Sequence, residues 1–158
     1  MKERVYMISK VNELTPAKGQ IRIANVNDLP TLQKWTLDFM KEALQESGTE
    51  DAIERFVRQK IETKSIFLWE DGQLVSMAAK TRPTKKSISI NLVYTPKEYR
   101  KKGYARSCVA SLTERLLREE YKYCTLYTDL MNPTSNKIYQ EIGYKEVGDI
   151  LAIDFSEK

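Results

Sequence analysis

The residues around Gly103 constrain the fold of this chain most, because they join a strand pattern to a helix pattern through a glycine turn. The run Ser87–Tyr94 alternates polar and apolar residues before it becomes continuously apolar, which predicts a strand that ends at the turn signal Thr95-Pro96. Apolar residues then recur at helical spacing, which predicts a helix over about residues 102–119. The order is therefore strand, glycine turn and helix.

The turn itself, Tyr99–Arg106, is a candidate phosphate site. A helix that begins beside a glycine leaves its first N–H groups without partners, and the helix dipole adds partial positive charge at that end. Taken alone the turn is weak evidence, since the adjacent cations Arg100–Lys102 also fit a solvated loop. The sequence contains neither G-x-G-x-x-G nor G-x-x-x-x-G-K-[ST], which excludes two better-known phosphate loops.

A second segment, Asn132–Tyr144, is predicted to contain a short helix, because residues typical of a helix start and of a helix end lie on its two sides. It follows the strand-like run Cys124–Asp129. Asn132 is a good N-cap, Pro133 suits the first helical position, and Gly143 suits the left-handed residue after a helix. The sequence therefore predicts a strand followed by a capped helix.

Together the two segments resemble the Gcn5-related N-acetyltransferase (GNAT) superfamily. Arg100–Ala105 fits the acetyl-CoA loop of that superfamily, [QR]-x-x-G-x-[GA], and Asn132–Tyr144 resembles its second cofactor-binding segment. Val93–Arg100 with Leu126–Asp129 looks like the glycine N-acyltransferase-like branch. The resemblance covers roughly residues 20–155 and leaves the N-terminal residues outside it.

This resemblance implies an α/β fold of the GNAT type, with a central, mostly antiparallel mixed sheet flanked by helices. We expect residues 20–158 to form that domain and residues 1–19 to be an N-terminal extension or connector. The implied activity is the direct transfer of an acetyl group from acetyl-CoA, or an acyl group from another acyl-CoA, to a primary amine of a small molecule or amino acid. The acceptor itself has no sequence motif.

The resemblance also implies site residues. The pantetheine arm is expected beside the end of the strand before the loop, the pyrophosphate on the loop backbone, and two asparagines near the second helix. The expected cofactor-binding residues are Leu92, Val93, Tyr94, Arg100, Lys101, Lys102, Gly103, Tyr104, Ala105, Arg106, Asn132 and Asn136.

Two further residues are expected to act in catalysis. Tyr139 matches the tyrosine that protonates the departing thiolate in many family members, although a packed core aromatic also fits its position. The chain has no histidine, so another base must take the proton from the amine, and a carboxylate can do so, often through water. Asp129 is the best candidate because its strand ends where the sheet would open. Glu70 and Glu98 lie in turn-like segments where exposed carboxylates are ordinary.

Composition adds exclusions. With no histidine and no pair of cysteines at ligand spacing, the sequence predicts no metal site, and Cys108 and Cys124 are interpreted as buried apolar residues. The net charge of +4 is small and clusters near the loop, so we expect no nucleic-acid partner. No apolar run of 18 residues and no secretion signal are present, which predicts a cytoplasmic protein without membrane contact. A silent acyl-CoA-binding module and an RNA-binding basic surface stay open as alternatives.

The remaining patterns predict an ordinary domain. Ile21–Asn25 is a predicted strand, helices begin near Asn27 and Thr49, and Asp71-Gly72 joins a hairpin of Ile66–Trp69 with Leu74–Ala79. The large aromatic residues of the helices are expected in the core, and these are Trp35, Phe39 and Phe56.

Both ends of the chain are predicted to contain strands. Val5–Ile8 is expected as an added edge strand, and two terminal strands are expected near Tyr144–Val147 and Ile150–Phe155. The last of these could pair in a homodimer. The residues before the domain are also compatible with a piece of a longer parent chain.

Overall fold

The computed structural model describes residues 2–119, 121–129 and 133–151. In this part of the chain the α-helices are α1 (Leu29–Phe39), α2 (Glu50–Glu62), α3 (Tyr104–Glu119) and α4 (Pro133–Ile142). The strands are β1 (Lys2–Ile8), β2 (Gln20–Ile23), β3 (Ile66–Glu70), β4 (Leu74–Thr81), β5 (Ser87–Tyr94), β6 (Tyr123–Asp129) and β7 (Lys145–Leu151).

The strands form one mixed sheet in the order β2-β3-β4-β5-β6-β1-β7. Strands β5 and β6 are parallel, and the other neighbouring pairs are antiparallel. The parallel pair is joined by the crossover through α3, as a parallel connection requires. The predicted fold class, a mostly antiparallel sheet flanked by helices, is confirmed.

The two faces of the sheet have separate hydrophobic cores. On one face, α3 and α4 pack against the sheet, and both Cys108 and Cys124 are buried there. Burial raises the pKa of each of these two thiols to about 12, so they behave as small apolar residues, as predicted. On the other face, α1 and α2 cover β3, β4 and the end of β5.

The start of α1 is fixed by a capping box. A short 3-10 turn, Val26–Asp28, precedes the helix, and the Asn25 and Asp28 side chains bond each other's backbone N–H groups across it. The Asp28 carboxylate, 7% exposed, also accepts two hydrogen bonds from Arg22 at 2.8 and 2.9 Å. Those bonds lower the pKa of Asp28 and tie β2 to α1.

Beyond α1 the chain departs from the regular helix that its pattern predicts. Met40–Leu44 form a π-helical turn, Gln45 adopts a left-handed conformation, and Leu44 is 41% exposed. Phe56 on α2 is 40% exposed, with the Lys60 ammonium above its ring, so its interpretation as a core residue is wrong. The stripe of Ile53 and Val57 already fills the space against the sheet.

The position of β1 also differs from the prediction. It lies between β6 and β7, not at an edge, and Tyr6 and Ile8 are buried under α3 and α4. The alternating pattern identified a strand, but a pattern does not reveal which strands pair on either side. The prediction of an added edge strand is therefore wrong.

At the C-terminal end, the structure shows one strand where two were expected. β7 continues from Lys145 to Leu151 without interruption and pairs with β1. Residues 152–158 lie outside the described part of the chain, so most of the predicted strand Ile150–Phe155, and a dimer built on it, stay predictions.

Candidate active site

Strands β5 and β6 separate at one edge of the sheet. Their parallel pairing ends at Ile90 and Leu126, although β5 continues to Tyr94 and β6 to Asp129. On its other side β5 has a bulge, in which the register with β4 shifts between Met77 and Ala79, and Leu92 takes a φ of +50°. Beyond Ile90 and Leu126, β5 and β6 no longer pair with each other, which leaves a gap between them, called here the β5–β6 gap.

A buried polar network supports the bulge. The Ser76 hydroxyl lies 3.2 Å from the Tyr94 carbonyl oxygen, to which it donates, and 2.8 Å from the Thr95 hydroxyl. Ser76 is fully buried and Thr95 nearly so. The Ser76 hydroxyl thus provides a hydrogen-bond donor for the Tyr94 carbonyl oxygen, which lies next to the bulge in the pairing of β4 with β5. These two residues were not predicted, because serine and threonine in a strand pattern give no sign of such a role.

The loop after β5, Tyr99–Arg106, is called here the glycine loop. Lys101 and Gly103 have φ values of +67° and +82°, and the Ser107 N–H donates to the Gly103 carbonyl at 3.0 Å. The N–H groups of the first turn of α3 therefore emerge from the helix end without acceptors within the helix. A Cβ on Gly103 would meet Ala17 Cβ at 3.8 Å and Arg106 Nη2 at 3.9 Å, which is ordinary contact, so the conformation alone favours glycine.

The cations of the glycine loop have different partners. The Arg100 side chain donates to the Thr95 carbonyl and to the Glu42 carboxylate, both at 2.7 Å, and its guanidinium lies 5.6 Å from the Tyr94 ring centroid. Arg100 thus fixes the loop to the end of β5, and Glu42 offsets its charge. Arg106 pairs with Glu141 of α4 at 3.5 Å, while Lys101 and Lys102 are exposed.

The first residue of α3 is anchored from the opposite hairpin. The Tyr104 hydroxyl donates to the Asp71 carboxylate at 2.5 Å, and this bond raises the pKa of Tyr104. Asp71 had been interpreted only as a turn residue between β3 and β4. The contact holds the glycine loop from a second side.

Helix α4 carries the second group of predicted residues. Gly143, with φ +120°, ends the helix, and the N–H groups of Gly143 and Tyr144 donate to the Tyr139 carbonyl at 3.2 and 3.0 Å. The predicted ends of this helix are confirmed at Pro133 and Gly143. Asn132, the predicted N-cap and cofactor residue, lies outside the described residues.

Asn136 ties this helix to the end of β6. Its Nδ2 donates to the Asp129 carbonyl at 3.3 Å, and its Oδ1 accepts a bond of 2.8 Å from the Tyr6 hydroxyl. One turn further along α4, Tyr139 is 7% exposed and lies between the rings of Tyr6 and Tyr144, at centroid distances of 6.3 and 6.2 Å. Burial raises the pKa of Tyr139 above its ordinary value, so its phenol is protonated at neutral pH and is a weaker acid than a solvated tyrosine.

The two groups of residues lie at the same edge of the sheet. Because β5 and β6 are parallel, the segments that follow them begin on the same side. Tyr94 is the last residue of β5 and the glycine loop follows it. Asp129 is the last residue of β6, and α4, which carries Asn136 and Tyr139, follows that strand. The segments that supply backbone donors, exposed cations, a carboxylate and a protonated phenol therefore begin at the same end of the β5–β6 gap.

Similarity to known proteins agrees with this geometry. The FR47-like protein family matches residues 69–151, which is more than half of the chain and includes the glycine loop, β6 and α4. The chain belongs to the FR47-like family. No functionally curated protein is significantly similar to it in sequence.

Several solved structures similar to this FR47-like protein are acetyltransferases. A GNAT-family acetyltransferase from Colwellia psychrerythraea is 16% identical with a TM-score of 0.72, over 92% of this chain and 53% of that one. The ribosomal-protein-alanine N-acetyltransferase from Brucella melitensis is 21% identical with a TM-score of 0.70, over 82% and 86% of the two chains. A predicted acetyltransferase from Clostridium acetobutylicum, crystallised with acetyl-CoA, is 16% identical with a TM-score of 0.66, over 88% and 97%.

These likenesses establish the GNAT fold and, with the family match, support the GNAT superfamily that the two motifs indicated. The FR47-like chain spans about half the length of the Colwellia protein. The glycine N-acyltransferase-like branch stays a prediction. Among the described residues, no helix of the FR47-like protein is both long and apolar enough to cross a membrane.

Proposed function

We propose that this FR47-like protein is an N-acyltransferase that moves an acetyl group directly from acetyl-CoA to a primary amine of a small molecule or amino acid. The observation that carries the proposal is the β5–β6 gap, which lies at the same end of the sheet as the start of α3, where the first N–H groups have no acceptor within the helix. A strand with free backbone groups and a helix N-terminus beside it suit a ligand that has an amide-containing arm and a pyrophosphate.

The chain offers a partner for each part of such a ligand. The backbone of Leu92–Tyr94 is the proposed partner of the pantetheine arm, and the backbone N–H groups of Lys101–Ala105 are the proposed partners of the pyrophosphate. The exposed ammonium groups of Lys101 and Lys102 and the half-buried Arg106 add positive charge at the same end. Asn132 and Asn136 stay proposed as residues that shape or bind the arm.

The chemistry also requires two proton transfers. Bound acetyl-CoA supplies an acetyl group activated as a thioester. An alkylammonium has a pKa of about 10, so about one molecule in a thousand is a free amine at pH 7, and the Asp129 carboxylate is the proposed base that removes its proton. The buried Tyr139 phenol is the proposed acid that protonates the departing thiolate.

A thiol-release assay tests this function. The protein is incubated with acetyl-CoA, or with longer acyl-CoAs, and with a panel of amines that includes amino acids and a peptide with an N-terminal alanine. We expect release of free CoA that depends on one class of amine and a product heavier by one acyl group. The alanine peptide is included because of the acceptor in the Brucella protein's name, and glycine because of the resemblance to the glycine N-acyltransferase-like branch.

This assay, together with binding titrations of acetyl-CoA and of RNA, distinguishes the alternatives. Tight acetyl-CoA binding without release on any amine would identify a silent binding module. RNA binding that weakens steeply with salt but survives saturating acetyl-CoA would identify a basic surface unrelated to acyl-CoA. Either result would overturn the proposed transfer reaction.

A further inference from the structure

Strand β1 reaches the site from outside the segments that carry the sequence motifs. We propose that β1 holds the separated end of β6 in place, and that Tyr6 on this strand is a positioning residue of the acetyl-CoA site. The inference rests on the proposed function, because it concerns the gap assigned to the pantetheine arm.

The pairing register is the first observation. β5 pairs with β6 only as far as Leu126, so the last part of β6, Tyr127–Asp129, has left β5. In the described chain, the ladder partners of that part are Val5, Arg4 and Glu3 of β1. The backbone that forms one wall of the β5–β6 gap is therefore held by β1 from the side opposite the gap.

The Tyr6 hydroxyl is the second observation. Tyr6 is fully buried, and its hydroxyl donates to Asn136 Oδ1 at 2.8 Å. The Nδ2 of the same amide donates to the Asp129 carbonyl at 3.3 Å. One chain of hydrogen bonds thus connects β1, α4 and the end of β6, and it orients the Asn136 amide because the donor and acceptor ends have different partners.

The segment after β1 contacts the same two structures. The Asn12 N–H donates to the Ile142 carbonyl at the end of α4 at 2.8 Å. The Ala17 N–H donates to the Ser107 hydroxyl at 2.8 Å, and Ala17 Cβ would lie 3.8 Å from a Cβ placed on Gly103. The N-terminal segment therefore contacts both α4 and the glycine loop, and its contribution extends across both sides of the gap.

The replacement Tyr6→Phe tests the hydroxyl while it keeps the ring against Tyr139. The matched control is Tyr144→Phe, because Tyr144 is also buried, its ring also contacts Tyr139, and its hydroxyl lies 2.7 Å from Thr113, away from the gap. Calorimetric titration with acetyl-CoA is carried out at a temperature where both variants are fully folded. Tyr6→Phe removes the hydrogen bond to Asn136 and a longer one, of 3.4 Å, that the hydroxyl accepts from Gln140 Nε2. We expect this variant to weaken acetyl-CoA binding about three- to tenfold and Tyr144→Phe to leave the binding unchanged.

Two further measurements separate positioning from a loss of general stability. Asn136→Ala is expected to weaken binding as well, and the double variant Tyr6→Phe/Asn136→Ala is expected to be no weaker than Asn136→Ala alone, since Tyr6 acts through that amide. Amide hydrogen exchange is expected to speed up at Tyr127–Asp129 in Tyr6→Phe and not in Tyr144→Phe.

The outcomes are distinguishable from those of the proposed function. If the unmodified protein binds no acetyl-CoA, the proposed function fails. If it binds acetyl-CoA and Tyr6→Phe binds it equally well, or if Tyr144→Phe weakens binding by the same factor, the positioning role of Tyr6 is overturned. Fully additive effects in the double variant would also contradict it.

Discussion

The two faces of the sheet differ in how closely their helices are held beside the proposed active site. On the α3/α4 face, the buried Tyr6 hydroxyl holds α4, Ser76 holds the end of β5, and the Asp71 carboxylate holds the start of α3. On the α1/α2 face, α1 ends in a π-helical turn, and residues 41–52 are exposed. A cofactor that is common to a family requires a rigid binding site. An acceptor that varies between family members can be bound by an exposed segment that makes few contacts with the rest of the fold. We therefore expect cofactor and acceptor recognition to be separable by face.

The largest effect expected on the α3/α4 face is on the chemical step. Tyr139→Phe removes the proposed proton donor and keeps the ring between Tyr6 and Tyr144. We expect kcat to fall about a hundredfold or more, as for the loss of a general acid, with little change in acetyl-CoA affinity. Steady-state kinetics with a fixed amine and a separate titration of acetyl-CoA give the two quantities. Unchanged kcat across the pH range would remove Tyr139 from catalysis.

The next effect is on cofactor affinity. In Gly103→Val the residue must adopt a positive φ, in the loop whose backbone N–H groups are the proposed partners of the pyrophosphate. We expect acetyl-CoA to bind about thirtyfold more weakly, equivalent to one or two charge-assisted hydrogen bonds, and the free energy of unfolding to fall by about 1–2 kcal/mol.

Gly72→Val is the control for the conformational strain alone. Gly72 has a φ of +71°, and a Cβ there would meet no atom of the described residues within 4 Å. We expect Gly72→Val to lower the free energy of unfolding by a similar amount and to leave the affinity for acetyl-CoA unchanged. If the two valine variants bind acetyl-CoA equally, Gly103 has no special role in the site.

On the α1/α2 face, the largest effect is expected on stability and not on the cofactor. Asp28→Ala removes a helix cap and a partly exposed pair with Arg22, which together contribute about 2 kcal/mol. The pKa of Asp28 is lowered in the folded state, so this contribution is present above about pH 4 and is lost as the pH falls below that value. Urea unfolding at pH 7 and pH 3 measures both points.

The variant is expected to lose stability at pH 7 and to differ less from the unmodified protein at pH 3. Acetyl-CoA affinity of the folded variant is expected to be unchanged. A clear loss of affinity in Asp28→Ala would show that the two faces are coupled, against the comparison drawn above.

What could be predicted from sequence depends on how local each residue's role is. Gly103, Pro133 and Gly143 were recognisable because their roles are local, since each satisfies a backbone requirement of the helix beside it. Tyr6 was not recognisable, because its partner Asn136 lies 130 positions away, and no local pattern records such a pairing.

The same reason applies to the strand order and to the α1/α2 face. Alternation identified β1 as a strand, but its place between β6 and β7 depends on tertiary pairing. Helical spacing placed Phe56 in the core, yet Ile53 and Val57 take the buried positions. Ser76 and Glu42 were missed because a buried hydroxyl and an exposed carboxylate acquire their roles only from the partners that the fold supplies.

The smallest effect concerns a contact between the π-helical turn after α1 and the glycine loop, the pair of Glu42 with Arg100 at 2.7 Å. Both side chains are more than a third exposed, so Glu42→Gln is expected to change the free energy of unfolding by less than about 1 kcal/mol. Arg100 also contacts Tyr94 and Thr95, so the loss of its ion pair with Glu42 should change how Arg100 lies against the end of β5. We expect the KM for the acceptor to change by about two- to fivefold, while the acetyl-CoA affinity stays constant. Glu54→Gln is the matched control, since Glu54 pairs with Arg58 at 2.9 Å on α2 with similar exposure. If both variants leave KM unchanged, this contact is inert, and the two faces recognise their ligands independently.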